Sequence, residues 1–428
     1  MTATMSYILG AWFVALLAGV PLFASMGLAS FAFVWFAGIP SGIVPQKIAQ
    51  AANSFPLLAA PLFILMGNIM NSAGITDRIF AFATACVGWL RGGLCHANIL
   101  ASVIFAGMSG SAVADAGGVG TLEIKAMKDE GYDAETAAAI TAASATIGPI
   151  IPPSLPMVIY GVSADVSIGG LFLAGVIPGL LMALSLMAMV TEVARRRNMP
   201  RHPFPGLREL WIAYKRAHWA LMTPVLLFGG MVGGFFTPTE AAGVAAVYSL
   251  FLGIFVYGDF KLSDLPDIIA DTVETTGVVL ALVMTAAALG WCLSISRIPQ
   301  TLGPMIVNLF GNPLLFLFAV NGLLLVVGCF MEALAAMLIL IPILTPAAAQ
   351  LGIDPIQFGL IFVLNLMIGT ITPPVGVVLF VTSRIAGISF EAMSRAIIPW
   401  LMPLLAVLLA ITLWPPLTTW LPRLVMGR

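Results

Sequence analysis

Charge is the scarcest property of this sequence. Its 428 residues carry 18 Lys and Arg against 19 Asp and Glu, 9% charged with a net −1, while 60% are hydrophobic. Soluble domains are about one-quarter charged, so a soluble globular fold is excluded. With no basic excess there is no surface for holding nucleic acid. Cysteine and histidine are equally sparse: Cys86, Cys95, Cys292 and Cys329 are far apart with no CxxC, and the three histidines do not cluster. Disulfide scaffolds and Cys/His metal centres are thereby excluded, and the cysteines read as inert membrane-core thiols. HExxH and GxGD are missing too, which removes zinc and aspartyl intramembrane proteolysis.

What the chain has in abundance is apolar length. At roughly 20 residues per bilayer crossing, a chain of this size holds on the order of ten spans, and the composition predicts an all-α polytopic membrane protein. Segments are expected at 3–20, 22–39 and 55–73, an arm at 77–90, a Gly- and Ser-rich region at 94–126, and spans at 134–162 and 169–194. After Arg195 to Arg216, which hold seven basic residues, come 220–238, 240–257 and 273–294, an arm at 299–311, then 313–348, 355–386 and 395–420. The N-terminal MTATMSYILGAWFVALLAG lacks the basic n-region of a cleaved signal and is expected to stay as the first span. The run from Ser6 to Ile39 divides at Pro21; one long helix there would reverse the topology.

The halves repeat at an offset of 221 (369 − 148). At that spacing Gly107 meets Gly328, and Gly148, Ile150, Pro152 and Pro153 meet Gly369, Ile371, Pro373 and Pro374. This predicts a first repeat over 1–194, a cytoplasmic linker over 195–216 and a second repeat over 217–428. Because Lys and Arg concentrate in cytoplasmic loops, the linker faces the cytoplasm. With an odd number of crossings per half, the arms on the surface and residues 94–126 dipping in and returning, the repeats have inverted topology. Both termini are then extracytoplasmic.

Inverted repeats with helices broken near the midplane are the recurring plan of secondary transporters. In ATIGPIIPPSLPMVIYG, Pro149, Pro152, Pro153 and Pro156 remove amide donors within one would-be span, and in IGTITPPVGVVLFV Pro373 and Pro374 do the same. Such backbone must be buried in protein or line a cavity; a proline kink used for packing is the plainer alternative. Ser102 to Lys128, dense in glycine, reads as a re-entrant hairpin with its tip at Ser109-Gly110-Ser111, facing the Gly148 break. Its partner turns near Gly328 to Glu332 and faces Gly369. Close packing through small residues competes with both readings. Of the acids in apolar sequence, Glu332 sits at the second tip, Glu240 follows Thr237-Pro238-Thr239 as a helix cap would, and Asp115 ties its hairpin. Trp12, Trp35, Trp89, Trp400, Trp414 and Trp420 read as interfacial anchors. His96, before the first hairpin, and His202 and His218, near the linker, read as surface or packing residues. Gly107-Met108-Ser109-Gly110 matches the GxSG of intramembrane serine proteases, but no histidine occurs in any later apolar span to serve as base.

GMSGSAVADAGGVGTLEIKAMKDEGYD, ATIGPIIPPSLPMVIYG, GGFFTPTEAAGVAAVY and IGTITPPVGVVLFV resemble the large membrane subunit of TRAP (tripartite ATP-independent periplasmic) transporters, over essentially the whole chain. The resemblance implies an elevator-type member of the ion-transporter superfamily in the bacterial inner membrane, importing an organic acid with Na+ as coupling ion. It implies two partners, a small membrane subunit of about four spans and a periplasmic substrate-binding protein. Carried onto these positions, one sodium site would use Ser109, Gly110, Gly148, Ile150 and Pro152; the other would use Gly328, Gly369, Thr370 and Thr372. Substrate would lie between the tips, near Ser109, Ser111, Ser154, Glu332 and Thr372. A stand-alone sodium:dicarboxylate symporter and, more remotely, an intramembrane serine protease stay open at this point.

Overall fold

Glycine and proline decide where the helices stop. The computed structural model describes residues 2–197, 199, 201–298, 301, 305 and 309–427, with all their side chains except those of Thr2, Ala3, Leu17 and Ser109, and has no strand among them. The first apolar run is two helices, α1 (Thr2–Leu17) and α2 (Leu22–Phe36). Gly19, at φ +85°, makes the turn a side chain would oppose, and Pro21 starts α2. Trp12 Nε1 donates to Ser25 Oγ across the pair at 3.1 Å. There follow α3 (Ile43–Ala52), α4 (Ala59–Ser72) and the arm α5 (Ile75–Val87). The first hairpin goes in as α6 (Gly93–Ser109) and returns as α7 (Ala112–Gly117) and α8 (Val119–Asp129). A broken helix, α9 (Ala134–Ala145) and α10 (Leu155–Ala164), leads to α11 (Ile168–Arg196).

The second half repeats this order. After α12 (Leu207–Val232), α13 (Pro238–Phe251) and α14 (Leu265–Ile295), the hairpin is α15 (Pro313–Phe330) and α16 (Ala333–Gln350). The second broken helix is α17 (Pro355–Gly369) and α18 (Val377–Ala386), followed by α19 (Phe390–Leu413) and α20 (Pro416–Met426). The arm expected at 299–311 falls mostly outside the described residues. Among the described residues, seven helices are long and apolar enough to cross a membrane.

Several boundaries differ from the sequence expectation. Helix α12 starts at Leu207, so Arg208, Lys215 and Arg216 ride on its first turns; the non-helical connection ends at Gly206, after Pro203 and Pro205. The last segment is two helices, parted at Trp414 and Pro415. Trp400 lies inside α19 at 4% exposure, so it packs rather than anchors, whereas Trp35, Trp414 and Trp420 are exposed. Glu240 is a cap: its Oε2 accepts from Thr237 N at 2.8 Å while Thr237 Oγ1 accepts from Glu240 N at 3.3 Å. His96 sits within α6 and His218 within α12, against Tyr214 and Trp219.

The two halves interlock. Helix α10 packs on α16 of the second hairpin, and α18 packs on α7 and α8 of the first. In the same way α9 meets α18 and α19 while α17 meets α10 and α11; farther out, α2 packs on α14 and α13 on α4. Each contact has its counterpart with the halves exchanged. The order α1, α2, α4, broken helix, α11 in the first half corresponds to α12, α13, α14, broken helix, α19 in the second. Every residue from Thr136 to Ile150 and from Gln357 to Ile371 is buried, and so are Pro152, Pro153 and Ser154, so the first break is packed in protein; at the second, Thr372 and Pro373 are half-buried and Pro374 is exposed. Large apolar side chains such as Tyr7, Phe235, Phe255 and Trp35 instead point outward, as a lipid-facing surface requires.

Candidate functional site

The elbows form because proline withholds hydrogen bonds. In a continuous helix the carbonyls of Gly148 and Pro149 would accept from residues 152 and 153, and those of Gly369 and Thr370 from 373 and 374; all four donors are prolines. Both pairs, Pro152-Pro153 and Pro373-Pro374, are joined by cis peptide bonds. Three of the four carbonyls find other donors, Gly369 O accepting from Thr372 N at 3.0 Å. Ser154 Oγ donates to Pro149 O at 2.5 Å, and Val378 N donates to Thr370 O at 3.1 Å.

The first hairpin turns at Gly110, whose φ of +62° suits glycine. A Cβ there would lie 2.8 Å from Pro153 O and 3.1 Å from Leu155 N, so the tip rests directly on the first elbow. Ser111 caps α7, accepting from Ala114 N at 3.4 Å. The buried Asp115 reaches the same elbow: a Cβ on Gly148 would overlap its Oδ2. Ser154 is fully buried, and besides its bond to Pro149 its hydroxyl accepts from Met157 N at 3.2 Å, so it shapes the elbow and caps α10. The Ile150 carbonyl packs against Gly175 of α11, where a Cβ would overlap it, and Pro152 is buried. The side chain of Ser109 lies outside the described residues.

At the second site backbone touches backbone. A Cβ on Gly369 would lie 2.6 Å from Gly328 Cα, and Gly376, at φ +54°, donates its N–H to Cys329 O at 3.1 Å. Thr370 Oγ1 donates to Met367 O at 2.6 Å and Thr372 Oγ1 to Ile368 O at 2.7 Å. A hydroxyl that gives its proton to the helix keeps its lone pairs for a cation. Glu332 caps α16, accepting from Ala335 N at 3.0 Å, and is exposed beside this tip. Among the described residues no three Cys, His, Asp or Glu side chains gather. The oxygens at the two elbows are carbonyls, hydroxyls and, at the first, the Asp115 carboxyl, a set that suits a hard cation better than a transition metal.

Residues 9–417 match the family described as "Tripartite ATP-independent periplasmic transporter, DctM component". The chain belongs to the DctM family. The sialic acid TRAP transporter large permease protein SiaM of Vibrio cholerae is 46% identical over 97% of this chain and 98% of its own. The C4-dicarboxylate TRAP transporter large permease protein DctM of Pseudomonas aeruginosa is 43% identical over 88% of each. The crystal structure of the Alcanivorax borkumensis YdaH transporter superposes with a TM-score of 0.63 at 15% identity, covering 87% of each chain, which shows a shared fold. As a DctM family member the protein is a large permease subunit for organic-acid uptake and not an enzyme, which closes the protease reading.

In this DctM chain each hairpin is tied to its broken helix by a buried amide the sequence reading passed over. Asn98 on α6 donates through Nδ2 to Glu123 Oε2 at 2.7 Å and Thr141 Oγ1 at 2.8 Å, and its Oδ1 accepts from Ser144 Oγ at 2.6 Å. Asn365 on α17 donates to Asn321 Oδ1 on α15 at 2.9 Å, and Asn321 Nδ2 donates to Thr412 Oγ1 at 3.0 Å. Ser144 and Asn365 are 221 apart, the repeat offset itself. That register, applied to polar residues rather than to Gly and Pro, is the sequence signal by which this link can be found.

Proposed function

We propose that this DctM chain is a sodium-driven importer of a small organic acid such as sialic acid or a C4-dicarboxylate. It works in the inner membrane with a small membrane subunit and a periplasmic binding protein, and both its termini are periplasmic. The carrying observation is the pair of elbows, each pressed by its own hairpin tip and each presenting oxygens released from helical bonding. The first sodium site takes oxygens from Ser109, Gly110, Gly148, Ile150 and Pro152, beside the Asp115 carboxylate. The second takes them from Gly328, Gly369, Thr370 and Thr372.

Substrate lies between the tips, near Ser111, Glu332 and Thr372, with the N-termini of α7 and α16 contributing amide dipoles to its carboxylate. Uphill import follows if ion and substrate stabilise the same state, because the coupling between two sites is reciprocal. The unit built on the hairpins and broken helices then moves against α1–α4 and α12–α14 as an elevator.

The test is uptake into proteoliposomes holding this chain and its small subunit, with the binding protein supplied outside. An inward sodium gradient should drive accumulation that potassium does not. Gly148→Ala and Gly369→Ala should each lower it by roughly tenfold or more, the scale of losing an ion-coordinating geometry, while membrane insertion is unchanged. Undiminished uptake by both variants at limiting sodium would sink the assignment. Uptake by the chain alone would instead identify a stand-alone symporter.

A further inference from the structure

The basic residues around the end of α11 fall into two sets. Arg196 is held by Glu192 at 2.6 Å, Arg197 by Asp133 at 2.8 Å and Thr136 at 2.7 Å, and His202 Nε2 lies 2.9 Å from Glu130. Arg91, Arg195 and Arg201 have no acidic side chain within 4.0 Å among the described residues. These three line a single cleft of about 240 Å³, closed by Leu90, His96 and Thr191, with no acid in its wall. His96 is only 3% exposed, and its Nδ1 has no hydrogen-bond partner among the described residues. Three exposed guanidinium groups without an acidic partner, from the α5–α6 turn, the end of α11 and the linker, thus face one cleft, an arrangement an anion would stabilise.

Depth and shape decide which anion. Helix α11 has 29 residues, more than the ~20 a crossing needs, so Arg195 reaches the headgroup layer. The order Trp89-Leu90-Arg91 places an indole beside a cation, as at a membrane interface, and the basic run marks the cytoplasmic leaflet. Helix α11 also carries an exposed apolar stripe, Leu180 at 46%, Leu184 at 62% and Ala188, that leads by steps of four and three residues to Thr191 and Arg195. A soluble anion has no use for such a stripe, whereas an acyl chain lies along it.

We propose that this cleft binds the phosphate of an anionic phospholipid of the cytoplasmic leaflet. Arg91, Arg195 and Arg201 surround the phosphate, and an acyl chain follows α11. The forked guanidinium donors fit phosphate oxygens in pairs. A lipid held there joins the arm, the base of the first hairpin and the linker.

The test uses the full chain, stripped of lipid in detergent. Phosphatidylglycerol, phosphatidylcholine with the same acyl chains, or millimolar inorganic phosphate is added, and bound lipid is read by native mass spectrometry alongside the melting temperature. Phosphatidylglycerol should bind in preference to phosphatidylcholine by roughly tenfold. The double variant Arg91→Gln/Arg195→Gln should lose that preference, while Arg196→Gln, whose guanidinium is already held by Glu192, should keep it. If the double variant does not purify, Arg201→Gln, in the non-helical linker, gives the same readout. Equal binding of the two lipids, or a preference that survives the arginine substitutions, overturns the proposal. A melting shift from inorganic phosphate equal to that from phosphatidylglycerol also overturns it, in favour of a soluble anion.

Discussion

Gly148 and Gly369 occupy matching elbows, yet different kinds of atom stand where their side chains would go. At Gly148 the obstacle is the Asp115 carboxylate, the movable end of a side chain; at Gly369 it is the Gly328 backbone. Shortening Asp115 can therefore relieve a methyl at 148, whereas no side-chain deletion relieves one at 369. A double-mutant cycle of Gly148→Ala with Asp115→Gly, read by thermal unfolding in detergent, should show favourable coupling of ~1 kcal/mol, within the range for touching residues. Strict additivity would place Asp115 away from the elbow. The buried amides make a second residue-scale case. Interhelical hydrogen bonds in membranes average only about 0.6 kcal/mol, with about 1.7 the largest measured, so Asn365→Leu should cost on the order of 1 kcal/mol. Asn98→Leu should cost more, because it removes a partner from the buried Glu123 carboxyl group as well as breaking two links to α9. Melting temperatures of the two variants compared side by side check the order.

At the scale of elements, what could be read from sequence was whatever acts through the backbone. Pro152-Pro153 and Pro373-Pro374 break helices wherever they stand, so both elbows, both hairpins and the division at Pro21 were legible without a partner in view. The Thr237-Pro238-Thr239-Glu240 start was legible for the same reason, since a capping box is made within four residues. Its worth is also local: Thr237→Ala should lower stability by about 1 kcal/mol and leave sodium-dependent uptake per folded molecule unchanged. A selective loss of uptake would instead give Glu240 a part in transport beyond capping. The linker misled for the opposite reason. Leu207 to Arg216 carries Arg208, Glu209, Lys215 and Arg216, which read as a polar loop by composition although they occupy the first turns of α12. Side-chain direction was illegible throughout: nothing near Ser154 announces that its hydroxyl is turned onto Pro149, or near Ile150 that its carbonyl faces Gly175. Nor does a lone Asn98 or Asn321 reveal partners that lie on other helices.

For the whole molecule, an elevator requires that one set of contacts be permanent and another slide, and two pairs of close approaches separate these demands. Within the proposed scaffold, a Cβ on Gly27 of α2 would lie 3.7 Å from Thr285 Cγ2 of α14. Between scaffold and moving unit, a Cβ on Gly290 of α14 would lie 3.7 Å from Pro342 Cγ of α16. Gly290 and Pro342 also line a cavity of about 650 Å³ that opens between α3, α10, α14 and α16, so a link there would pin the second hairpin to α14 across the space in which it must slide. The four native cysteines are free and three are buried, so they can be replaced before new ones are introduced. Oxidation of Gly290→Cys/Pro342→Cys should abolish sodium-driven uptake and reduction should restore it, whereas oxidation of Gly27→Cys/Thr285→Cys should leave transport running. If both crosslinked proteins transport, α14 and α16 do not move past one another and the elevator is excluded. If both stop, α2 and α14 do not form a fixed scaffold, and the moving boundary lies inside the first helices rather than at the hairpins.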